Sequence, residues 1–261
     1  MVNPTYTISY DVGTTGVKTC LFAITDKIEL LAAASEGYNL YVLPGGGAEQ
    51  DPDEWWDAMI KSTNAVMKKS KVDKKDISGI SFCSQMQGLV LVDKDGNAVR
   101  RAMSYMDQRA REELKKGIAY GPQIAGANIP KLLRALQITG AVACSVKDPV
   151  WKYKWVEAHE PEVFAKAYKW LDVKEYLICR MTGEFVMTQD SAFATLLYDI
   201  RKGKEGWSSE MCKLYGVHEK HLPKIVRCTD RVGKLRDKEA KELGLEPGTA
   251  VFGGGGDASL I

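Results

Sequence analysis

The sequence lacks several features that would identify common classes of protein. It has no apolar run long enough to span a bilayer, and its 36 basic and 34 acidic residues leave a formal net charge of only +2. Neither a membrane nor a nucleic acid is therefore an expected partner. The three histidines have no metal-ligand partners nearby in sequence, which argues against a zinc site. The six cysteines are scattered and form no Cys-x-x-Cys pair, which is typical of reduced thiols in a cytoplasmic protein.

A Walker loop is also absent, because Gly-x-x-x-x-Gly-Lys-Ser/Thr occurs nowhere in the chain. Residues 6–18 predict a different phosphate-binding element. The two-residue alternation of residues 6–12 indicates a strand, and a second strand-like run follows at 17–24. The Gly-Thr-Thr-Gly turn between them offers amides and hydroxyls that can cradle phosphate oxygens. Asp11, at the end of the first strand, is placed to hold hydrated Mg²⁺. The alternative is a plain hairpin with a glycine-rich turn.

A helix start is the clearest local signal after this hairpin. Asp51 fits the N-cap, Pro52 fits the first helical position, and Glu54 fits the returning residue of a capping box. Trp55 and Trp56 begin a pattern with helical spacing, and we expect both in the core rather than under a sugar.

The order of predicted elements favours an α/β fold with a mixed sheet and a helical insertion. The region from Tyr105 to about Leu222 is predicted to be mainly helical, and a polar helix is expected at 234–243. Further strands are predicted at residues 29–42, 77–82, 88–92 and 249–252. A phosphate hairpin at the start of such an order fits the ribonuclease-H-like lobe of the actin and hexokinase type.

A glycine run at residues 253–256 follows the last predicted strand, and Asp257 begins what resembles the first turn of a helix. Because a natural domain rarely ends one turn into a helix, we expect residues 1–261 to be the N-terminal domain of a longer protein.

Four segments together carry a family resemblance. They are DVGTTGVK at 11–18, AEQDPDEWW at 48–56, CSQMQG at 83–88 and GGGD at 254–257. In this order and at this separation they resemble the FGGY carbohydrate kinases, and the xylulokinase branch most closely. The resemblance implies two actin-like lobes with the active site in the cleft between them. This chain would be the sugar-binding lobe, truncated before the C-terminal nucleotide-binding lobe.

The resemblance also implies cofactors and residue roles. ATP and Mg²⁺ would be the cofactors, and a small sugar would be the substrate. The catalytic residues would be Asp257, as general base, and Asp11, which would also hold the metal. Phosphate contacts would come from Asp11, Gly13, Thr14, Thr15 and Lys18. Sugar contacts would come from Gln85, Met86, Gln87, Asp107 and Asp257.

Structural roles are the alternatives for four of these residues. Gln85 and Gln87 also fit ordinary polar positions at a strand end. Asp107 fits an acid at a helix N-terminus, and Asp257 fits a helix cap. Two departures bear on the substrate. Xylulokinases usually carry histidine in place of Gln87 and asparagine in place of Ala258, so the identity of the sugar is left open.

The leading functional hypothesis is ATP-dependent phosphorylation of a ketopentose such as xylulose. The alternatives are a glycerol or other polyol kinase of the same family, and a non-catalytic actin-like module that binds nucleotide. We expect residues 1–261 alone to be folded but inactive. The sequence leaves a homodimer open.

Overall fold

The computed structural model describes residues 4–118, 122–124 and 127–259. Across these residues the largest element is a seven-stranded mixed sheet. The strands are β1 (Thr5–Val12), β2 (Gly16–Ile24), β3 (Ile28–Gly37), β4 (Tyr41–Leu43), β5 (Gly47–Gln50), β6 (Ile77–Ser84), β7 (Val90–Val92), β8 (Ala102–Met103), β9 (Gln123–Ile124), β10 (Ala127–Asn128), β11 (Lys169–Leu171), β12 (Val186–Thr188), β13 (Tyr198–Asp199), β14 (Gly206–Trp207), β15 (Lys224–Val226), β16 (Arg231–Lys234), β17 (Ala250–Phe252) and β18 (Gly255–Gly256). The helices are α1 (Pro52–Ser70), α2 (Arg111–Ile118), α3 (Ile129–Thr139), α4 (Pro149–His159), α5 (Pro161–Phe164), α6 (Val173–Thr182), α7 (Gln189–Ala194), α8 (Ser209–Tyr215) and α9 (Asp237–Leu243).

The central sheet has the order β16-β17-β6-β1-β2-β3, with β18 also paired to β6. The hairpin β1–β2 and its neighbour β3 are antiparallel, because tight turns join them. By contrast, β6 runs parallel to β1, and both β17 and β18 run parallel to β6. The α/β fold with a mixed sheet, predicted from the order of elements, is confirmed.

Helix α1 covers one face of the hairpin sheet and packs against β2 and β3. Its N-cap is Asp51, which accepts a hydrogen bond from the amide of Asp53, and Trp55 and Trp56 are buried as expected. The predicted capping box is wrong. The Glu54 carboxylate instead accepts hydrogen bonds from Asn39, so it ties the helix start to the chain after β3.

The middle region contains α2 to α8, separated by short strands, and it carries an apolar cluster of its own around Trp151 and Trp170. Two boundaries differ from the prediction. The strand expected at 29–42 is divided, because β3 ends at Gly37 and β4 pairs with β5 in a separate sheet. The polar helix expected from residue 234 begins at Asp237, because the preceding residues pair with β17. Among the described helices, none is long and apolar enough to cross a membrane.

Candidate active site

Three segments predicted to carry chemistry leave the same edge of the central sheet. The parallel strands β1, β6 and β18 are in register, so that Asp11 and Gly255 both lie opposite Cys83. Each strand ends within one or two residues of this level. The carboxyl ends of parallel strands open into one crevice, and the turn after β1, residues 85–88 and Asp257 therefore meet there. This convergence depends on strand pairing over more than 240 residues of sequence.

The turn between β1 and β2 is stabilised by side chains that donate hydrogen bonds to its carbonyl groups. The hydroxyl of Tyr38 donates to the carbonyls of Gly13 (2.6 Å) and Gly16 (3.0 Å), and Gln50 Nε2 donates to the carbonyl of Thr14 (2.6 Å). Within the described residues, the amides of Thr14 and Thr15 have no protein acceptor. The turn therefore presents free donors, as an anion-binding concavity requires.

These free amides border a small hollow of about 350 Å³. Its walls include the carboxylate of Asp11, which is exposed on β1, and the exposed side chain of Lys18, its cross-strand neighbour. All five residues predicted to contact phosphate line this hollow: Asp11, Gly13, Thr14, Thr15 and Lys18.

A larger cleft of about 780 Å³ adjoins the hollow, and Thr14 lines both. Three of the predicted sugar-contacting residues, Met86, Gln87 and Asp257, line this cleft. Part of its wall is apolar and includes Phe193 and Leu196. Thus the predicted sugar site and the predicted phosphate site are contiguous.

Asp257 lies exposed at the mouth of the cleft and begins a 3₁₀ turn. Its Oδ1 accepts a hydrogen bond from the amide of Ala258 at 2.7 Å, so a local capping contact exists beside the predicted catalytic role. The Cys83 thiol on β6 interacts electrostatically with both predicted catalytic carboxylates. Burial, together with the smaller effects of the negative charges of Asp11 and Asp257, raises the pKa of this thiol to about 11. The charges of both carboxylates therefore act on the same side chain of β6.

A buried ionic network supports the segment that carries Asp257. Asp190, at the start of α7, accepts a hydrogen bond from the amide of Gly256 at 2.6 Å. Burial opposes ionisation of Asp190, but the charge of Lys174 and hydrogen bonds from Thr188 and Gly256 lower its pKa to about 2. Lys174, fully buried, also bonds Glu175 at 2.7 Å. An ionised Asp190 thus holds the residue before Asp257 in place.

Comparison with known proteins agrees with this geometry. The model of the FGGY family of carbohydrate kinases, N-terminal domain, matches residues 6–260. The chain belongs to the FGGY family. A xylulose kinase of Bacillus subtilis is 33% identical over 253 residues, which cover 97% of this chain and 48% of that protein. The chain therefore spans about half the length of the curated relatives it matches.

Solved structures of FGGY kinases share the fold. A gluconate kinase from Lactobacillus acidophilus superposes with a TM-score of 0.84 at 28% identity, covering 99% of this chain and 49% of that one. A ligand-bound xylulose kinase from the same organism gives 0.83 at 28% identity, covering 98% and 49%. The predicted actin- and hexokinase-type lobe is confirmed.

Two residues that the FGGY resemblance placed on the sugar do not line the cleft. Asp107 is fully buried, and both of its carboxylate oxygens accept hydrogen bonds from Arg109, with Oδ2 also accepting from the amide of Ala48 (2.8 Å). Its bonds organise the loop before α2. Gln85 is also buried, and its Nε2 donates to Gln50 Oε1 at 2.9 Å. Since Gln50 bonds the turn at Thr14, Gln85 connects the loop of residues 85–88 to the β1–β2 turn.

Sequence reasoning missed three supporting residues of this FGGY site: Gln50, Asp190 and Lys174. Gln50 lies within the motif at 48–56, but its partners are far away in sequence. Asp190 lies two residues after the end of strand β12, a position where polar residues often face a site. Lys174 stands in a largely apolar run after β11, and a lone lysine there is a signal of a buried, paired charge.

Proposed function

We propose that the protein containing this chain transfers the γ-phosphoryl group of ATP to a hydroxyl of a neutral sugar, with a ketopentose such as xylulose as the first candidate. One observation carries the proposal. The turn with free amides, the loop bearing Gln87 and the carboxylate of Asp257 open into one continuous cleft. The similarity to proteins identified as xylulose kinases supports the same assignment.

In this proposal each residue performs one task during transfer. Met86 and Gln87 orient the sugar, while the amides of Thr14 and Thr15 bind oxygens of the transferred phosphoryl group. Asp257 accepts the proton of the attacking hydroxyl as the new oxygen–phosphorus bond forms and the bond to ADP breaks. The exposed position of Asp257 at the cleft mouth leaves its second oxygen available for this role.

The residues around the turn fit a magnesium–nucleotide ligand. Asp11 offers an exposed carboxylate beside the free amides, and among the described residues no cluster of three or more His, Cys, Asp or Glu surrounds it. Such a sparse site suits Mg²⁺, which keeps several waters and shares phosphate oxygens. When bound, the ion supplies positive charge that offsets the charge developing on the phosphates.

The chemistry of the cleft favours a neutral sugar over a sugar acid. Among the described lining residues none is lysine, arginine or histidine, whereas Asp190 and Asp257 both contribute carboxylates. A substrate carboxylate such as that of gluconate would meet two like charges and no cation. A polyol such as glycerol has no such conflict and stays the second candidate.

We further propose that a second lobe, which binds the adenine nucleotide, completes the cleft from the opposite side, and that the reaction takes place in the cytoplasm. The relatives are about twice as long as this chain, which supports the second lobe. All six cysteines lie in the described residues and are free thiols, which supports a reducing compartment.

A substrate panel tests the proposal. The full-length protein is assayed for ADP release with ATP, Mg²⁺ and one of D-xylulose, glycerol or gluconate. We expect D-xylulose to exceed gluconate in kcat/KM by at least about tenfold, because the described residues that line this side of the cleft offer the acid no cation. Nucleotide binding without ADP release for any sugar would instead support the non-catalytic actin-like module.

A further inference from the structure

The loop that carries the sugar-facing residues has a strained backbone at one position. Gln87 has φ = 62°, in the left-handed region that glycine favours and glutamine rarely adopts. A non-glycine residue keeps this conformation only where surrounding contacts impose it. Gln87 lines the cleft, so the contacts that impose its conformation also decide where its side chain points.

Those contacts come from two buried ionisable side chains on opposite sides of one peptide unit. Lys152 Nζ, on α4, donates to the carbonyl of Gln87 at 2.7 Å. Asp172 Oδ1, just before α6, accepts from the amide of Gly88 at 2.9 Å. The carbonyl of Gln87 and the amide of Gly88 belong to the same peptide bond, so a hydrogen bond holds that peptide on each side. Gly88 is required here, because a Cβ would lie 2.7 Å from Asp172 Oδ1.

The burial of Lys152 is not explained by a gain in the stability of the fold. It is fully buried, and no carboxylate among the described residues lies within 4 Å of its Nζ. Burial lowers its pKa to about 8, while the charges of Asp172, Asp107 and Asp148 oppose this shift and that of Lys147 adds to it. A buried cation without an ion pair costs free energy. Perturbed buried groups of this kind concentrate at functional sites.

We propose that Lys152 and Asp172 are positioning residues. They fix the peptide between Gln87 and Gly88, keep Gln87 in its left-handed conformation, and thereby set the affinity of the cleft for its sugar. The proposal rests on the proposed function, since the ligand of Gln87 is the sugar. It adds that specificity at this position depends on two buried ionisable side chains that do not themselves touch the ligand.

The test compares Lys152→Met with Lys154→Met in the full-length protein. Met fills similar volume without a charge. Lys154 lies on the same helix but bonds Glu157 and the carbonyl of Gly216, away from the loop. For Lys152→Met we expect the KM for the preferred sugar to rise at least about tenfold, because a displaced contact residue loses its alignment. The kcat and the midpoint of thermal unfolding should change little. Lys154→Met should leave KM unchanged.

Hydrogen exchange of the peptide spanning residues 85–92 gives a second readout that needs no activity. Lys152→Met should exchange faster there and nowhere else. Asp172→Ala should exchange faster there and also at the start of α6, because Asp172 Oδ1 accepts from the amide of Val173 as well. Asp172→Asn keeps the acceptor and should retain protection in both places. Unchanged exchange and unchanged KM in Lys152→Met would overturn the inference. If the wild type phosphorylates no sugar, the proposed function fails, but the exchange result still decides whether the two residues hold the loop.

Discussion

Asp257 is the residue on which the proposed chemistry depends most directly. Replacing it by asparagine keeps the acceptor for the amide of Ala258 but removes the proton acceptor. We expect Asp257→Asn to lower kcat by about 10²–10⁴-fold, the usual contribution of a general base, with KM for the sugar largely retained. Steady-state kinetics on the full-length protein measure both constants. If the variant keeps more than about a tenth of the wild-type rate, Asp257 is a structural cap and the base lies elsewhere.

Asp11 is predicted to hold the metal ion, so the dependence of the rate on Mg²⁺ concentration tests its role. Its carboxylate is exposed on β1, so Asp11→Asn should leave the fold intact. We expect a loss of rate on the order of several kcal/mol of barrier, because a metal-borne charge is no longer held at the phosphates. Kinetics at a series of Mg²⁺ concentrations measure this loss. Asp26→Asn, in the distant turn after β2, is the matched control, and a near-normal rate for Asp11→Asn at saturating Mg²⁺ would contradict the assignment.

For individual residues, prediction from the sequence was more successful for those that line the cleft than for those that support it from behind. Thr14, Met86 and Gln87 follow strands in recognisable motifs, and the structure brings them together. Asp107 shows the limit of motif reasoning. Its burial against Arg109 is decided by tertiary packing, which a local segment does not reveal. The partners of Lys174 could not be read from the local segment for the same reason, although its apolar surroundings indicated burial.

At the scale of elements, the glycine run after β17 leads to the proposed base, Asp257, and packs against the loop of residues 85–88. The space next to two of these glycines is filled by other parts of the protein. A Cβ on Gly256 would lie 2.1 Å from Sδ of Met86, whereas a Cβ on Gly254, at φ = 67°, would lie 2.3 Å from the carbonyl oxygen of Phe82. One neighbour is a flexible side chain and the other is backbone of β6.

The two glycines should therefore respond differently to alanine. Gly256→Ala should displace Met86 and raise KM for the sugar by about tenfold or more, since a contact residue is moved, while unfolding changes little. Gly254→Ala should destabilise the fold by about 1–3 kcal/mol, because the backbone strain cannot relax. Sugar kinetics and urea unfolding of both variants separate the effects. Equal loss of stability in the two variants would contradict this division.

Boundaries of elements were predictable where a local signal fixed them. Asp51 and Pro52 correctly placed the start of α1, because capping chemistry is local. The end of β3 and the start of α9 were not, because pairing with β17 and the change of sheet after Gly37 depend on distant strands. Glu54 likewise found its partners on Asn39 rather than in its own helix.

For the whole molecule, the order of strands and helices was enough to predict a mixed α/β sheet, and family motifs were enough to predict its actin-like form. The short strands of the middle region were not predicted, since strands of two or three residues have no periodicity to detect. The second apolar cluster around Trp151 anchors that region independently of the sheet, so the cleft lies between two separately packed parts.

The pH dependence of stability follows from groups buried in both parts. Burial raises the pKa of the thiols of Cys179 and Cys212 to about 12. Above about pH 8.5 the unfolded chain loses these protons while the folded chain keeps them, so stability falls by about 1.4 kcal/mol per pH unit for each thiol. Lys152 acts in the opposite direction. Its folded pKa of about 8 lies below the ordinary value, so between about pH 8 and 10 the unfolded state binds more protons and stability rises with pH.

We therefore expect the free energy of unfolding to decline above about pH 9, and to decline more steeply in Lys152→Met, which lacks the compensating rise. The difference between the two slopes should approach about 1.4 kcal/mol per pH unit between about pH 8 and 10. Urea unfolding at pH 7.5, 8.5 and 9.5, chosen to bracket the raised and lowered pKa values, measures it. Parallel declines in both proteins would mean that Lys152 keeps an ordinary pKa, and hence that water reaches its ammonium group in solution.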